Sequence, residues 1–227
     1  MRRVVVFLMI AGLTTTLIFG QKVENRAVSD FTGIDASGAF NITVVKGATE
    51  SLTIEADDEV MQYVRSEVKN GVLRLYLEKN RIKHIKTLKA SVVMKDFDKV
   101  SLSGACKIIA NDFFTPVSFK GSCSGASDMV INLNAGQLTI KSGGACNVDL
   151  TGSATDVIVD MSGASNLKAG NFTVRTATIK SAGSSSITIN VTDTLKVNSS
   201  GASTVKYKGS PATDIKSSGA SSVKKIQ

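Results

Sequence analysis

The stretch "VSLSGACKII" (Val100–Ile109) decides the fold. Its centre, Ser-Gly-Ala or a close variant, returns down the rest of the chain in "SCSGASDMVI", "SGGACNVDL", "MSGASNLKA", "SSGASTVKY" and "SSGASSVKK". The central glycines are Gly104, Gly125, Gly144, Gly163, Gly183, Gly201 and Gly219, separated by 21, 19, 19, 20, 18 and 18 residues. A near-constant period with small changes in length is the mark of a solenoid.

The register around each glycine says what kind. Four residues after it stand Ile108, Met129, Val148, Leu167, Ile187, Val205 and Val223. Four residues before it stand Val100, Gly121, Ile140, Val159, Ile179, Val197 and Ile215. Six before, in Phe119, Leu138, Val157, Ala177, Leu195 and Thr213, the apolar pattern weakens. Three after come the polar Lys107, Asp128, Asn147, Asn166, Ser186, Thr204 and Ser222. Apolar and polar positions therefore alternate on both sides of a glycine turn, which is the period of a strand. Each coil reads as strand, corner, strand and a second polar turn ("NLNAGQ", "TGSATD", "KAGNFT", "YKGSPAT"). One coil cannot bury its own apolar ladder; coils stacked about 4.8 Å apart can. Strands one period apart run parallel. The expectation is an all-β protein, a parallel β-helix in flattened two-sheet form with coils of 18–21 residues, right-handed by the default for β crossovers.

Residues 21–99 are less regular and read as a strand-rich head, with the β-helix repeats over 100–227. Gly38, in "GIDASGAFNITVVKG", has Ile34 and Ile42 at the same offsets and looks like an isolated copy 66 residues ahead of Gly104. "SLTIEADD" alternates as a strand. "DDEVMQYVRSEV" suggests a short helix with an Asp cap and Val60 and Val64 at helical spacing, and "EVKNGVLRLYLE" a hairpin turning at Asn70-Gly71.

The chain opens "MRRVVVFLMIAGLTTTLIFGQ", a basic pair, an apolar run and a small residue. This reads as a secretory signal peptide over residues 1–20, preferred over a retained anchor. No cysteine follows the run, which argues against a lipid anchor, and no second long apolar run predicts a transmembrane segment in the mature chain. Loss of Arg2 and Arg3 takes the formal net charge from +8 to +6. That excess is compatible with acidic glycans or lipid headgroups, and export disfavours nucleic acid. With 5% aromatic residues and no Trp, a stacking platform for sugar rings or bases would be meagre.

Candidate chemistry is sparse. Ser103, Ser124, Ser162, Ser200 and Ser218 at the corners lack a base: the only histidine, His84, lies outside the repeats. Glycine supplies a positive φ there and serine a local backbone hydrogen bond, so the corners are read as structural turns at Gly38, Gly104, Gly125, Gly144, Gly163, Gly183, Gly201 and Gly219. Asp156 and Asp160 are the one near-neighbour carboxylate pair in the repeats, read as solvated. No metal or cofactor pattern is present. Cys106, Cys123 and Cys146 match no zinc spacing and leave an odd thiol. Cys106 and Cys146 fall two coils apart, too far for a direct bond, while Cys123 could approach either; buried packing is preferred to a bond. Two outward features could bind a surface: the polar row Asp128, Asn147, Asn166 and Thr204, and the basic stretch "EKNRIKHIKTLK" with Arg81, Lys83, Lys86 and Lys89.

The stretch from Phe31 to Asn80, "FTGIDASGAFNITVVKGATESLTIEADDEVMQYVRSEVKNGVLRLYLEKN", followed by the Ser-Gly-Ala repeats, resembles the head-GIN-domain family of putative autotransporter adhesins, exported proteins of Bacteroidetes-type bacteria. The resemblance implies a β-helical fold akin to pectin lyases, tight turns at the glycine motifs, no catalytic residues and a role in cell adhesion. The sequence departs from the family name in one respect: residues 100–227 are taken up by repeats and leave no room for a translocating barrel. Another export route is then expected, to the periplasm, the outer membrane surface or the medium. The resulting expectation is a non-enzymatic envelope protein that binds glycans or cell-surface components, with homo-oligomers left open. The alternatives are a polysaccharide-binding or polysaccharide-active β-helix, or an envelope scaffold or sensor component.

Overall fold

A computed structural model describes residues 20–78 and 84–227. The signal peptide read over residues 1–20 lies outside the described residues except for Gly20, as do Arg81 and Lys83. The first part of the chain runs β1 (Gln21–Arg26), β2 (Gly33–Gly38), β3 (Asn41–Lys46), β4 (Ser51–Asp57), α1 (Asp58–Met61), β5 (Val64–Lys69), β6 (Val72–Leu77) and β7 (Leu88–Met94). The regular part runs β8 (Lys99–Gly104), β9 (Lys107–Phe114), β10 (Ser118–Gly125), β11 (Asp128–Gly144), β12 (Asn147–Met161), β13 (Asn166–Ser181), β14 (Ser186–Ser199), β15 (Thr204–Lys208), β16 (Ala212–Ser217) and β17 (Ser222–Lys225).

The period-two alternation builds two ladders of parallel strands that meet at the glycine corners. One ladder stacks the residues before each corner: Gly33, Lys99, Lys120, Thr139, Ile158, Thr178, Lys196 and Asp214 lie in register. The other stacks the residues after it: Asn41, Lys107, Asp128, Asn147, Asn166, Ser186, Thr204 and Ser222. The apolar offsets point inward. Ile108, Met129, Val148, Leu167, Ile187 and Val205 are sealed, as are Val100, Ile140, Val159, Ile179 and Val197. They belong to one core that runs from Phe31 to Val205. The second turns are softer than the first: β11, β12, β13 and β14 run through them, and slips near Asp149/Thr151 and Ala169/Thr173 absorb the differences in coil length.

The corners are the rigid joints. All eight corner glycines have φ between +70° and +112°. Gly163 shows why no side chain fits: a Cβ there would sit 2.5 Å from the carbonyl oxygen of Gly144 on the coil below. That closeness lets the ladder continue through the corner, because the next residue donates its N–H to that carbonyl. Ala105 bonds to Gly38 at 2.7 Å, Ala126 to Gly104 at 2.7 Å and Ala164 to Gly144 at 2.8 Å.

Gly38 is no isolated copy. Its corner stacks directly under that of Gly104, and β2 and β3 pair with β8 and β9. On their other side, β2 and β3 pair in parallel with β6 and β7. The chain therefore lays down one coil, leaves it, builds its lower neighbour from β6 and β7, then crosses back to build its upper neighbour. The segment between closes the end: β5 pairs antiparallel with β6 through the Asn70-Gly71 turn, and β4 pairs antiparallel with β7, with β1 antiparallel outside it.

The helix is shorter than its apolar spacing suggests. It makes one turn, Asp58–Met61, and Val64 is the first residue of β5. Val60 and Val64 are both buried, but strand pairing claims the second. The expected Asp cap is also spent elsewhere: the carboxylate of Asp57, at the cap position, accepts from the backbone N–H groups of Lys86 (2.8 Å) and Thr87 (3.2 Å).

Candidate functional site

Outward positions on the ladder after the corners form a continuous polar column. Lys107, Asp128, Asn147, Asn166, Ser186, Thr204 and Ser222 succeed one another in register. Parallel pairing puts successive members about 4.8 Å apart. Within the column Asn147 Nδ2 donates to Asp128 Oδ1 at 2.9 Å. Two residues further along each strand a second column carries Asp149 and Lys168. Between the two columns lies a shallow groove of about 320 Å³, lined by Lys107, Asp128, Asn147, Asp149 and Lys168 over Val130. Asp128, Asn147 and Asn166 are thus brought together at the middle of this face. Thr204 lies two registers beyond Asn166, near its far end.

The opposite face carries a second groove, of about 270 Å³, lined by Ser101, Ser103, Ser122, Ser124, Lys141, Asp160 and Ser162. Asp160 stands in register between Lys141 and Lys180. Asp156 points to the same face, four residues away along β12, so the two carboxylates are roughly 13 Å apart at the rise of a strand. Paired glycosidase carboxylates stand about 5–9.5 Å apart. Of the basic stretch, Lys86 and Lys89 lie among the described residues: Lys89 pairs with Glu55 (3.1 Å), and Lys86 is exposed.

Of the corner hydroxyls, those of Ser124, Ser162 and Ser200 bond to the coil below. Ser162 Oγ donates to the carbonyl of Ser142 (3.2 Å) and Ser124 Oγ to that of Leu102 (3.4 Å), each on the coil below. Two residues after each corner glycine a second set turns inward. Ser127, Ser165, Ser185 and Ser203 are buried, and each returns its hydroxyl to the backbone carbonyl three residues earlier at 3.0–3.1 Å. Among the described residues no buried side-chain nitrogen or oxygen lacks a hydrogen-bond partner.

Cys106 and Cys146 occupy this same inward column and Cys123 the one facing it; all three are buried and none is in a disulfide. Cys123 donates to Ser142 Oγ (3.5 Å), which donates to Ser165 Oγ (2.7 Å). The Cys123 thiol also lies against Cys146. Burial, together with that neighbour, pushes its pKa up from 9.0 to about 12. Burial raises Cys106 too. Sealed, protonated thiols are poor nucleophiles. The sequence marks these positions as small and inward, but not the hydroxyl relay that crosses from coil to coil.

Two further features have weaker sequence signals. Arg26 on β1 reaches across the closed end, where Nη1 donates to Val64 O and Ser66 Oγ, both at 3.1 Å, and Nη2 to Glu24 Oε2 at 3.1 Å. Hydrogen bonds from Lys22 and Arg26 hold the Glu24 carboxyl below its ordinary pKa. At the end of β9 and in the turn after it, Phe113 (46% exposed) and Val117 (88%) stand near Pro116 beside a groove of about 520 Å³ over Phe97 and Phe114. Among the described residues no group of three His, Cys, Asp or Glu is placed to hold a metal ion, and no helix is long and apolar enough to cross a membrane.

Against known proteins, the family model described as "Putative auto-transporter adhesin, head GIN domain" matches residues 30–211. No curated protein matches the sequence. Among solved structures, a protein from Bacteroides fragilis described as a "putative adhesin" superposes with a TM-score of 0.87 at 24% identity, over 91% of this chain and 97% of that one. A "putative adhesin" from Parabacteroides merdae gives 0.74 at 20% identity, over 91% and 96%. A "Putative lipid binding protein" from Parabacteroides distasonis gives 0.73 at 18% identity, over 91% and 97%. At these identities the likeness is one of fold.

Proposed function

We propose, for a chain that belongs to the head GIN domain family, described as "Putative auto-transporter adhesin", a non-catalytic binding role at the cell envelope. The observation that carries this reading is the in-register column Lys107, Asp128, Asn147, Asn166, Ser186, Thr204 and Ser222. A face that presents a hydrogen-bonding side chain every ~4.8 Å suits an extended, repetitive partner such as a surface glycan better than a compact substrate. Export by a cleaved leader agrees with such a role. Its basis is the basic pair and apolar run of residues 2–19 together with the family.

A polysaccharide-active β-helix is the competing role. It would need carboxylates close enough to act on one glycosidic bond. Asp156 and Asp160, roughly 13 Å apart at a strand's rise, do not supply that, whereas Asp128 and Asp149, one coil and two residues apart in the groove of the other face, stand about 8 Å apart and are the pair this role would use.

A glycan array and a whole-cell binding assay test the reading. The expected result is retention on a defined glycan or cell type, lost in Asp128→Ala/Asn147→Ala/Asn166→Ala with little change in melting temperature. Glycan turnover that disappears in Asp128→Ala/Asp149→Ala or in Asp156→Ala/Asp160→Ala would overturn it.

A further inference from the structure

Charge is distributed unevenly along the solenoid. Residues 195–227 carry six lysines, Lys196, Lys206, Lys208, Lys216, Lys224 and Lys225, against one carboxylate, Asp214. The described residues before them carry 16 Lys and Arg against 18 Asp and Glu. The body is therefore close to neutral and the last coils are strongly basic. Only Lys196 finds the acid, at 3.7 Å from Asp214. Lys206, Lys216, Lys224 and Lys225 are exposed, and no carboxylate partner is found for them among the described residues.

The lysines stand around two partly exposed apolar side chains, Ile215 and Val223, at this end. Lys206 and Lys224 stack on the face after the corners, and Lys216 follows Asn198 on the other face. Lys225 takes a core phase. It follows Ile189 and Tyr207 in an inward column, and its ammonium turns out to Ser210 Oγ (3.0 Å). Between them the last coil leaves Ile215 40% exposed, at an offset where Ile179 and Val197 are sealed. Val223 is likewise only partly buried. An inward-phase charge on an edge coil works against another strand adding there. This disfavours a second copy as the occupant. Ammonium groups around apolar side chains on a blunt end match the interface of an anionic bilayer, where phosphates take the charges and the headgroup boundary takes the apolar atoms. A soluble acidic polysaccharide would use the charges alone.

We infer that the lysine-ringed end formed by β15, β16 and β17 docks on a membrane surface bearing anionic phospholipid headgroups. This deepens the binding role proposed above: the end would hold the protein to the envelope and leave the long faces free.

Vesicle co-sedimentation of the purified full chain tests it, comparing phosphatidylcholine vesicles with and without phosphatidylglycerol. Pure phosphatidylcholine reports any contribution of the apolar residues 1–20, which every variant shares. The end variant is Lys206→Gln/Lys216→Gln/Lys224→Gln/Lys225→Gln. The control, Lys99→Gln/Lys120→Gln/Lys141→Gln/Lys180→Gln, removes the same charge from the body. The expected result is phosphatidylglycerol-dependent binding that weakens with salt and drops on the order of a hundred-fold or more in the end variant, with the control close to the parent. An equal drop in the control would overturn the inference, since net charge would then explain it. So would retention on immobilised heparin through the same lysines without vesicle binding. Glycan or cell binding that survives in the end variant leaves the adhesive reading standing, so the two can fail separately.

Discussion

At its amino-terminal end the solenoid is closed. There β5 and β4 reverse direction over β6 and β7, a helical turn packs Val60 and Met61 inward, and Arg26 ties β1 to β5 with two hydrogen bonds. At the other end no described residue pairs with the outer edges of β16 and β17, Ile215 is 40% exposed and Lys225 occupies a core phase. Both ends terminate the same core. One does so by pairing its edges with antiparallel strands, the other by making its edges charged and unattractive. Coils of one design can thus differ widely in what their loss costs, according to how many neighbours each has.

Identical substitutions at different heights test that difference most directly. Gly163→Val is expected to cost about 3 kcal/mol or more, because φ is +77° and a Cβ would meet the Gly144 carbonyl. Gly219→Val meets the same kind of contact with Gly201, but its coil can loosen alone, so the melting temperature should barely move. Equal losses in thermal unfolding would break the comparison. Next, Ile179→Ala should cost about 2–4 kcal/mol and Ile215→Ala less than about 1 kcal/mol, as read by denaturant midpoints.

At the closed end, Arg26→Ala should cost about 1–3 kcal/mol and show first as faster amide exchange in β1 and β5. Arg26→Lys should not restore protection, since an ammonium cannot span Val64 O, Ser66 and Glu24 as a fork does. The smallest effect concerns pH. The Cys123 thiol is raised to about 12 in the fold against an ordinary 9.0. Its contribution is therefore fully present below pH 9 and declines as pH rises toward 12, where only the unfolded chain first gains the charge. Cys123→Ser should flatten that decline in stability-versus-pH titrations. An unchanged slope would mean the thiol is less sealed than its burial implies.

The regular coils were legible because two independent constraints coincide at each repeat. A glycine stands where only positive φ fits, and, Gly121 apart, a β-branched or long apolar residue stands four positions to either side. The segment between Lys46 and Lys99 was not legible to the same degree. Strands that pair parallel and strands that pair antiparallel alternate alike, so "SLTIEADD" and "VLRLYL" gave no sign that the first caps the stack and the second joins it. Val60 and Val64 misled for a related reason: two buried valines four apart suit a helix, and equally a turn followed by a strand. Of the candidate site, the polar column could be read from its offset alone. The basic end could not, because its lysines are spread over several offsets and gather only when the last coils are stacked.

The coil made by β2 and β3 has a consequence for how the chain acquires its shape. As the polypeptide emerges, this coil has both edges open until residues 72–94 and then 99–114 arrive to flank it. Every later coil needs only the one synthesised just before it. The early part must therefore close long loops before any pairing rewards it, whereas the rest can zip forward coil by coil. Completion of the first coils is then the step expected to limit folding, and a chain stalled there would present two unsatisfied edges at once. Lengthening the solenoid at its far end would add almost nothing to the time it takes to begin.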